Sequence, residues 1–358
     1  MKIVAGWPWL VPALSLALVV AGLLADAGPV FAIVCAAALI GAVIAAVHHA
    51  EVVAHRLGEP FGTLVLAVAV TVIEVSLILA MMLAGGATAA ALPRDTVYAA
   101  VMIICNGVVG LCILVGGLTH HEQSFRVEGS SAGLAALIVL AAFSLVLPAF
   151  TTTTPGGTYN NAQLAFAAIT SLALWAVYVF TQTVRHRDYF LPPDDVSSPE
   201  AHATPPTDRQ AWASFGLLLA SLLSVVGLAK ILSPSIERIV EHAGAPKAVI
   251  GIVIAMLVLL PETWAAVRAA HADRLQTSMN LALGSALASI GLTIPVVAAS
   301  SIALGIPLIL GLDAKGLVML AVTFLLSAVT LGTGRTHMMQ GAVHLVVFAA
   351  FLFLAFVP

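Results

Sequence analysis

The chain has 358 residues, of which 61% are hydrophobic and 9% charged, with a mean hydropathy of +1.09 and a formal charge of −3. Soluble domains carry about 25% charged residues, so this composition excludes a water-soluble globule, and no basic stripe supports nucleic-acid binding. What remains is an all-α polytopic membrane protein.

Apolar runs near 20 residues predict eleven transmembrane helices, at 7–25, 29–53, 61–84, 96–118, 131–150, 163–184, 211–230, 247–269, 278–299, 302–333 and 337–357. The first run begins "MKIVAGWPWLVPALSLALVV"; its Trp-Pro-Trp start and length favour a retained span over a cleaved signal. Cys35, Cys105 and Cys112 all sit in apolar runs without metal or disulfide spacing and read as packing residues. The tenth region, "SIALGIPLILGLDAKGLVMLAVTFLLSAVTL", reads as a broken helix or as a helix preceded by a re-entrant loop. Residues 185–210, rich in Pro, Asp and Ser, read as a mobile linker. The expected organisation is therefore a leading helix (1–28), five helices (29–184), a cytoplasmic linker (185–210) and five more helices (211–358). An N-terminus inside places Lys2, Arg56, Arg126, Arg185, Arg187, Arg209, Arg268, Arg274 and Arg335 in the cytoplasm, leaving five of the fourteen basic residues outside. This predicts a cytoplasmic N-terminus and an external C-terminus.

The two halves repeat. "EVVAHRLGEP" (51–60) aligns with "ERIVEHAGAP" (237–246), matching Glu51 with Glu237, Gly58 with Gly244 and Pro60 with Pro246. Each stretch is followed by an apolar span with one carboxylate, Glu74 in "VTVIEVSLI" and Glu262 in "VLLPETWAAV". Five spans is an odd number, so the second copy must lie inverted relative to the first, the plan of secondary transporters with ion sites near the midplane.

Thirteen residues from Phe61 to Glu74 make about 20 Å of helix, and fifteen from Lys247 to Glu262 about 22 Å. Both carboxylates are thus beyond the reach of snorkelling, and neither span carries Lys or Arg at that depth. A carboxylate so placed is protonated, binds a cation or lines water. Two of them balance the charge of Ca2+, which takes six to eight oxygen ligands. Asn106 lies within the next span of the first half; Ser285, Ser289 and Thr293 form a stripe in the matching span of the second. Pro261 cannot donate to the carbonyl of Leu257, which frees another oxygen. Protons compete for the same oxygens, and competition at a site exposed alternately to either side suffices for antiport.

Structural readings stand beside these. Asn106 also reads as glue between helices, and the serine stripe as close packing. Glu51 and Glu237 near span ends read as solvated or capping residues, or as entrance residues that attract cations. His48, His49 and His55 near Glu51 suit pH sensing or a headgroup-facing cluster, with His49 the candidate for gating. "HHE" at 120–122 lacks metal-site spacing, because adjacent residues diverge on a helix. His337 and His344 share a helix face and read as packing.

Several motifs together resemble the CAX group of cation/proton antiporters in the cation/calcium exchanger superfamily, and within it the bacterial ChaA type. They are "HHAEVVAHRLGEPFGTL", "VTVIEVSLI", "GGLTHHEQSF", "LLPETWAAVRAAHADRLQTSMNLALGSALASIGLTIPV" and "RTHMMQGAVHLVVFAAFLF". The resemblance spans nearly the whole chain. It implies one leading helix, two inverted five-helix repeats and Ca2+/H+ exchange across the bacterial inner membrane. It also implies cation binding by Glu74 and Glu262, with Asn106 and Ser289 as polar neighbours. Many CAX members carry Gly-Asn-Ala-x-Glu before each acidic residue, where this chain has Val70-Thr71-Val72-Ile73-Glu74 and Val258-Leu259-Leu260-Pro261-Glu262. That departure keeps Na+ or K+ exchange for protons open beside Ca2+. No cofactor is expected; the partners are inorganic cations, protons and the lipid bilayer. An intramembrane enzyme is the rival from another class, but the chain has no HExxH pair, Gly-x-Ser-x-Gly elbow or Asp dyad.

Overall fold

A computed structural model describes residues 6–24, 28–58, 61–191, 206–242, 244 and 246–357. Among the described residues eleven helices are long and apolar enough to cross a membrane. They are α1 (Trp7–Leu24), α2 (Pro29–Leu57), α3 (Phe61–Gly85), α4 (Leu92–His120), α5 (Val127–Ala149), α6 (Asn161–Arg185), α7 (Asp208–His242), α8 (Ala248–His271), α9 (Leu275–Leu304), α10 (Ala314–Leu331) and α11 (Met338–Phe356). A two-stranded antiparallel ribbon joins β1 (Glu122–Ser124) to β2 (Arg335–His337). The chain forms two compact units, Met1–Ala89 with Ser198–Ile250, and Ala90–Ser197 with Gly251–Pro358.

In the first unit α2 runs along α7, with α1 and α3 packed on the same pair. Small residues set the spacing: a Cβ on Gly227 would meet Val19 Cγ1 at 2.5 Å, and one on Gly22 would meet Ile231 Cδ1 at 2.7 Å. α1 contains Pro12, which has no N–H to offer the carbonyl of Pro8 one turn earlier. In a bilayer such an orphan is costly, and His49 of α2 resolves it by donating from Nε2 to Pro8 O at 2.8 Å. The bond requires the Nε2–H form of His49, which is 2% exposed. His49→Leu leaves the carbonyl without a donor and should cost about 1–3 kcal/mol, whereas Gln keeps an N–H and should recover part of that. Thermal melting of the purified variants in detergent checks the order; a Gln variant melting below the Leu variant would contradict it.

In the second unit α9 lies against α4, α5 and α6, and α11 lies along α4. Gly291 permits the closest approach of α9 to α6, since a Cβ there would sit 2.6 Å from Trp175 Cβ. α4 is not uniform: Ile103–Val108 forms a buried π-helical stretch, a geometry that recurs at functional sites. The region 302–333 is not one helix. α9 continues to Leu304, residues 306–312 are not helical, and α10 starts at Asp313, whose side chain accepts from Gly316 N at 2.7 Å. The non-helical stretch is tolerated because other backbone takes up its donors: Ile309 N bonds Ala90 O, Leu310 and Gly311 N bond Gly157 O, and Leu312 N bonds Leu145 O.

The segment expected as a linker begins as ordered structure. A short 3-10 turn, Arg187–Phe190, follows α6; Phe190 is buried against Tyr178, and its carbonyl accepts from Asn280 Nδ2 at 2.6 Å. Residues 192–205 of that segment lie outside the described residues.

Candidate cation site

Glu262 stands in α8 directly after Pro261, which the helix accommodates without breaking. It lines a pocket of about 10 Å³, room for roughly one water-sized particle, together with Ile104, Val108, Leu259, Thr263, Ala282 and Ser285. One Glu262 carboxylate oxygen is buried. Thr263 donates its hydroxyl to Leu259 O at 2.7 Å, so its oxygen lone pairs remain available as acceptors. Ser285 brings a second hydroxyl from α9. The surface that faces this volume is apolar, so the space beside the carboxylate is small and poorly hydrated. That arrangement suits a dehydrated cation or a proton on the carboxylate.

Asn106 is fully buried in the π-helical stretch of α4 and faces α10. Its amide donates to Thr323 Oγ1 at 2.9 Å, and Thr323 in turn donates to Met319 O at 2.8 Å. Asn106 Oδ1 is buried with no partner among the described residues. The walls of the Glu262 pocket come from its neighbours Ile104 and Val108 rather than from Asn106 itself. Ser289 is 5% exposed, one turn beyond Ser285 on α9, with Thr293 fully buried a further turn on. Ser285 lines the small pocket together with Glu262.

Glu74 lies in the first unit on α3 and is 3% exposed, flanked by buried Ile73 and Val75. Thr71, one turn before it, spends its hydroxyl on Ala67 O at 2.8 Å. Glu51 is exposed on α2; the Glu237 side chain lies outside the described residues. His49 binds Pro8, and His48 packs its ring 5.3 Å from Trp7. His55 is exposed beside Arg56, which pairs with Asp208 across the solvated end of the first unit. His344 is buried and bonds Thr330 Oγ1 at 3.0 Å. His120 and Glu122 of "HHE" serve separate partners, His271 O at 2.9 Å and Arg335 at 3.3 Å.

Thr323 was not singled out from the sequence. The available signal was the stripe Thr323, Ser327 and Thr330 on α10, all buried.

A family model described as "Sodium/calcium exchanger protein" matches residues 27–184 and 213–357. A Sinorhizobium fredii protein named as an ionic transporter, y4hA, is 48% identical over 356 residues, 98% of this chain and 96% of its own. The sodium-potassium/proton antiporter ChaA of Escherichia coli is 36% identical over 325 residues, 89% of this chain and 87% of its own. The solved structure of native YfkE shares the fold with a TM-score of 0.73 at 20% identity, over 98% of this chain and 100% of that one.

Proposed function

Because the chain belongs to the sodium/calcium exchanger family, whose members are membrane ion exchangers rather than enzymes, we propose that it is a secondary antiporter that exchanges Ca2+ for protons. The observation that carries the reading is Glu262 beside the hydroxyl-bearing residues Ser285 and Thr263 at a small pocket, deep in a membrane-spanning helix. A hard divalent cation prefers such oxygen donors, and a carboxylate there is neutralised by a proton when the cation leaves. Glu74, the buried carboxylate of the first unit, is the second residue on which exchange depends. Asn106 and Ser289 tune the polarity around the ion, and Glu51 attracts cations at the solvated end of α2. We place the protein in the bacterial inner membrane with its N-terminus in the cytoplasm, from the distribution of Lys and Arg.

A second reading, exchange of Na+ or K+ for protons on the same residues, is favoured by the similarity to ChaA and by Thr71 and Leu259 standing where many CAX members carry asparagine. Everted membrane vesicles containing a pH dye separate the two. After respiration acidifies the lumen, Ca2+ should release the accumulated protons. A response to Na+ or K+ with none to Ca2+ would sink the calcium assignment and leave the second reading standing.

A further inference from the structure

The motif "GGLTHHEQSF", residues 116–125, is not used by the cation site, yet its His120 and Gln123 side chains are hydrogen-bonded to the end of α8 and the turn after it. It closes α4, turns at His121 with φ of 65°, and enters β1. Gln123 points inward from the ribbon and is 3% exposed. Its Nε2 donates to Ala270 O at 2.9 Å and to Asp273 Oδ1 at 2.8 Å. Both partners are acceptors, so the amide orientation is dictated by them. His120 Nε2 takes the neighbouring carbonyl, His271 O, at 2.9 Å. These carbonyls belong to the last turn of α8, where a helix has no donors of its own.

The α8–α9 turn so gripped is strained, because Asp273 holds φ of 57° without being glycine. The start of α9 is held from the same side: Arg126 N donates to Gln276 Oε1 at 2.6 Å, and Gln276 Nε2 donates to Asn280 Oδ1 at 2.9 Å. Gly116 makes room for this, since a Cβ there would fall on Gln123 Oε1. The exposed residues Met256, Leu260 and Trp264 of α8 line an open apolar groove of about 560 Å³ with Gly107 of α4 and Phe348 of α11. At the other end of α8, a Cβ on Gly251 would meet the Asp95 and Thr96 backbone at 2.8 Å, so that end is tied as well.

We propose that Gln123 is a positioning residue for cation binding: its paired bonds to Ala270 and Asp273 set the placement of α8, and with it Glu262, relative to Ser285 on α9. The proposal rests on the reading of Glu262 as a cation carboxylate. Ala270 lies eight residues beyond Glu262, about 12 Å of helix, so a small shift at the turn is transmitted along a rigid rod. Gln123→Leu removes both bonds and should raise the apparent KM for the transported cation about tenfold. Maximal flux per folded molecule should stay within about twofold, whereas a merely structural role would lower the amount of folded protein and leave KM alone. Gln123→Glu sets a carboxylate against two acceptors and should be at least as severe. Adding Asp273→Asn, which supplies a donor to the new carboxylate, should recover much of the loss.

If Gln123→Leu does not fold, Asp273→Gly serves in its place. Glycine keeps the positive φ without strain and removes only the acceptor, so KM should still rise, by about threefold. Hydrogen exchange over residues 264–276 of the purified protein gives a readout independent of transport, and it should speed up in either variant. An unchanged KM in an active protein, or unchanged exchange protection over 264–276, overturns the proposal. If the parent protein moves no cation at all, it is the reading of function that fails, and hydrogen exchange alone decides whether Gln123 holds the turn.

Discussion

Glu262→Gln is expected to reach the membrane in normal amounts and to move no protons in response to any cation, a loss of at least about 100-fold. Glutamine keeps the shape and two polar atoms but has neither a charge to offset a cation nor a proton to exchange for one. The same substitution removes a costly ionisable group from a membrane-spanning helix, so the variant should melt at or above the parent temperature. Lost flux with retained or raised stability separates a functional carboxylate from a structural one. Glu74→Gln should behave alike, although Glu74 is the more deeply buried of the two at 3% exposure. Flux measured in vesicles, normalised to folded protein by size-exclusion chromatography, checks both. Near-normal transport in either variant would remove that residue from the account.

The largest effect on assembly is expected at Gly341. α11 crosses α4 at Gly110 and Gly341, where a Cβ on Gly341 would strike Leu114 N and lie 2.7 Å from Gly110 O. Those atoms are helix backbone, so they cannot rotate aside as a flexible side chain can. Gly341→Ala should cost about 1–3 kcal/mol through forced separation of the helices. Gly341→Leu should abolish the monodisperse species altogether, because α11 also carries His344, whose bond to Thr330 anchors α10. Size-exclusion profiles of the two variants test this; a normal profile for Gly341→Leu would show that α4 and α11 do not pack through this crossing.

Hydrophobic run length made the eleven spans legible, because twenty apolar residues have few other solutions. Their ends were less so. The apolar run of the seventh span ends near Lys230, yet α7 passes Pro234 and reaches His242, since one missing backbone bond does not end a helix. Run length puts 302–304 at the start of the tenth span, whereas those residues complete α9 and the break follows at Gly305, which has φ of 65°. The π-helical stretch around Asn106 had no compositional mark beyond an Asn-Gly pair inside a span. Periodicity does not encode such a local change of winding.

Within the candidate site the carboxylates were found because charge in an apolar run is conspicuous. The hydroxyls were harder: Ser285 and Ser289 share a stripe, and that Ser285 lines the Glu262 pocket follows only from the three-dimensional packing. His49 illustrates the opposite difficulty. Near Glu51 it looked like a surface sensor, but Pro12, 37 positions away, gives it a structural partner in the Pro8 carbonyl. Polar motifs such as "HHEQSF" were visible as motifs, while their partners, Ala270 and Asp273, are distant in sequence.

The central claim is that this chain couples cation movement to proton movement in the opposite direction. Purified protein reconstituted into liposomes with an internal pH dye tests it directly. An inward Ca2+ gradient should drive protons out and raise the internal pH in the parent protein, and should do nothing in Glu262→Gln. No change in internal pH with Ca2+, Na+ or K+, from folded and correctly inserted parent protein, would contradict the account.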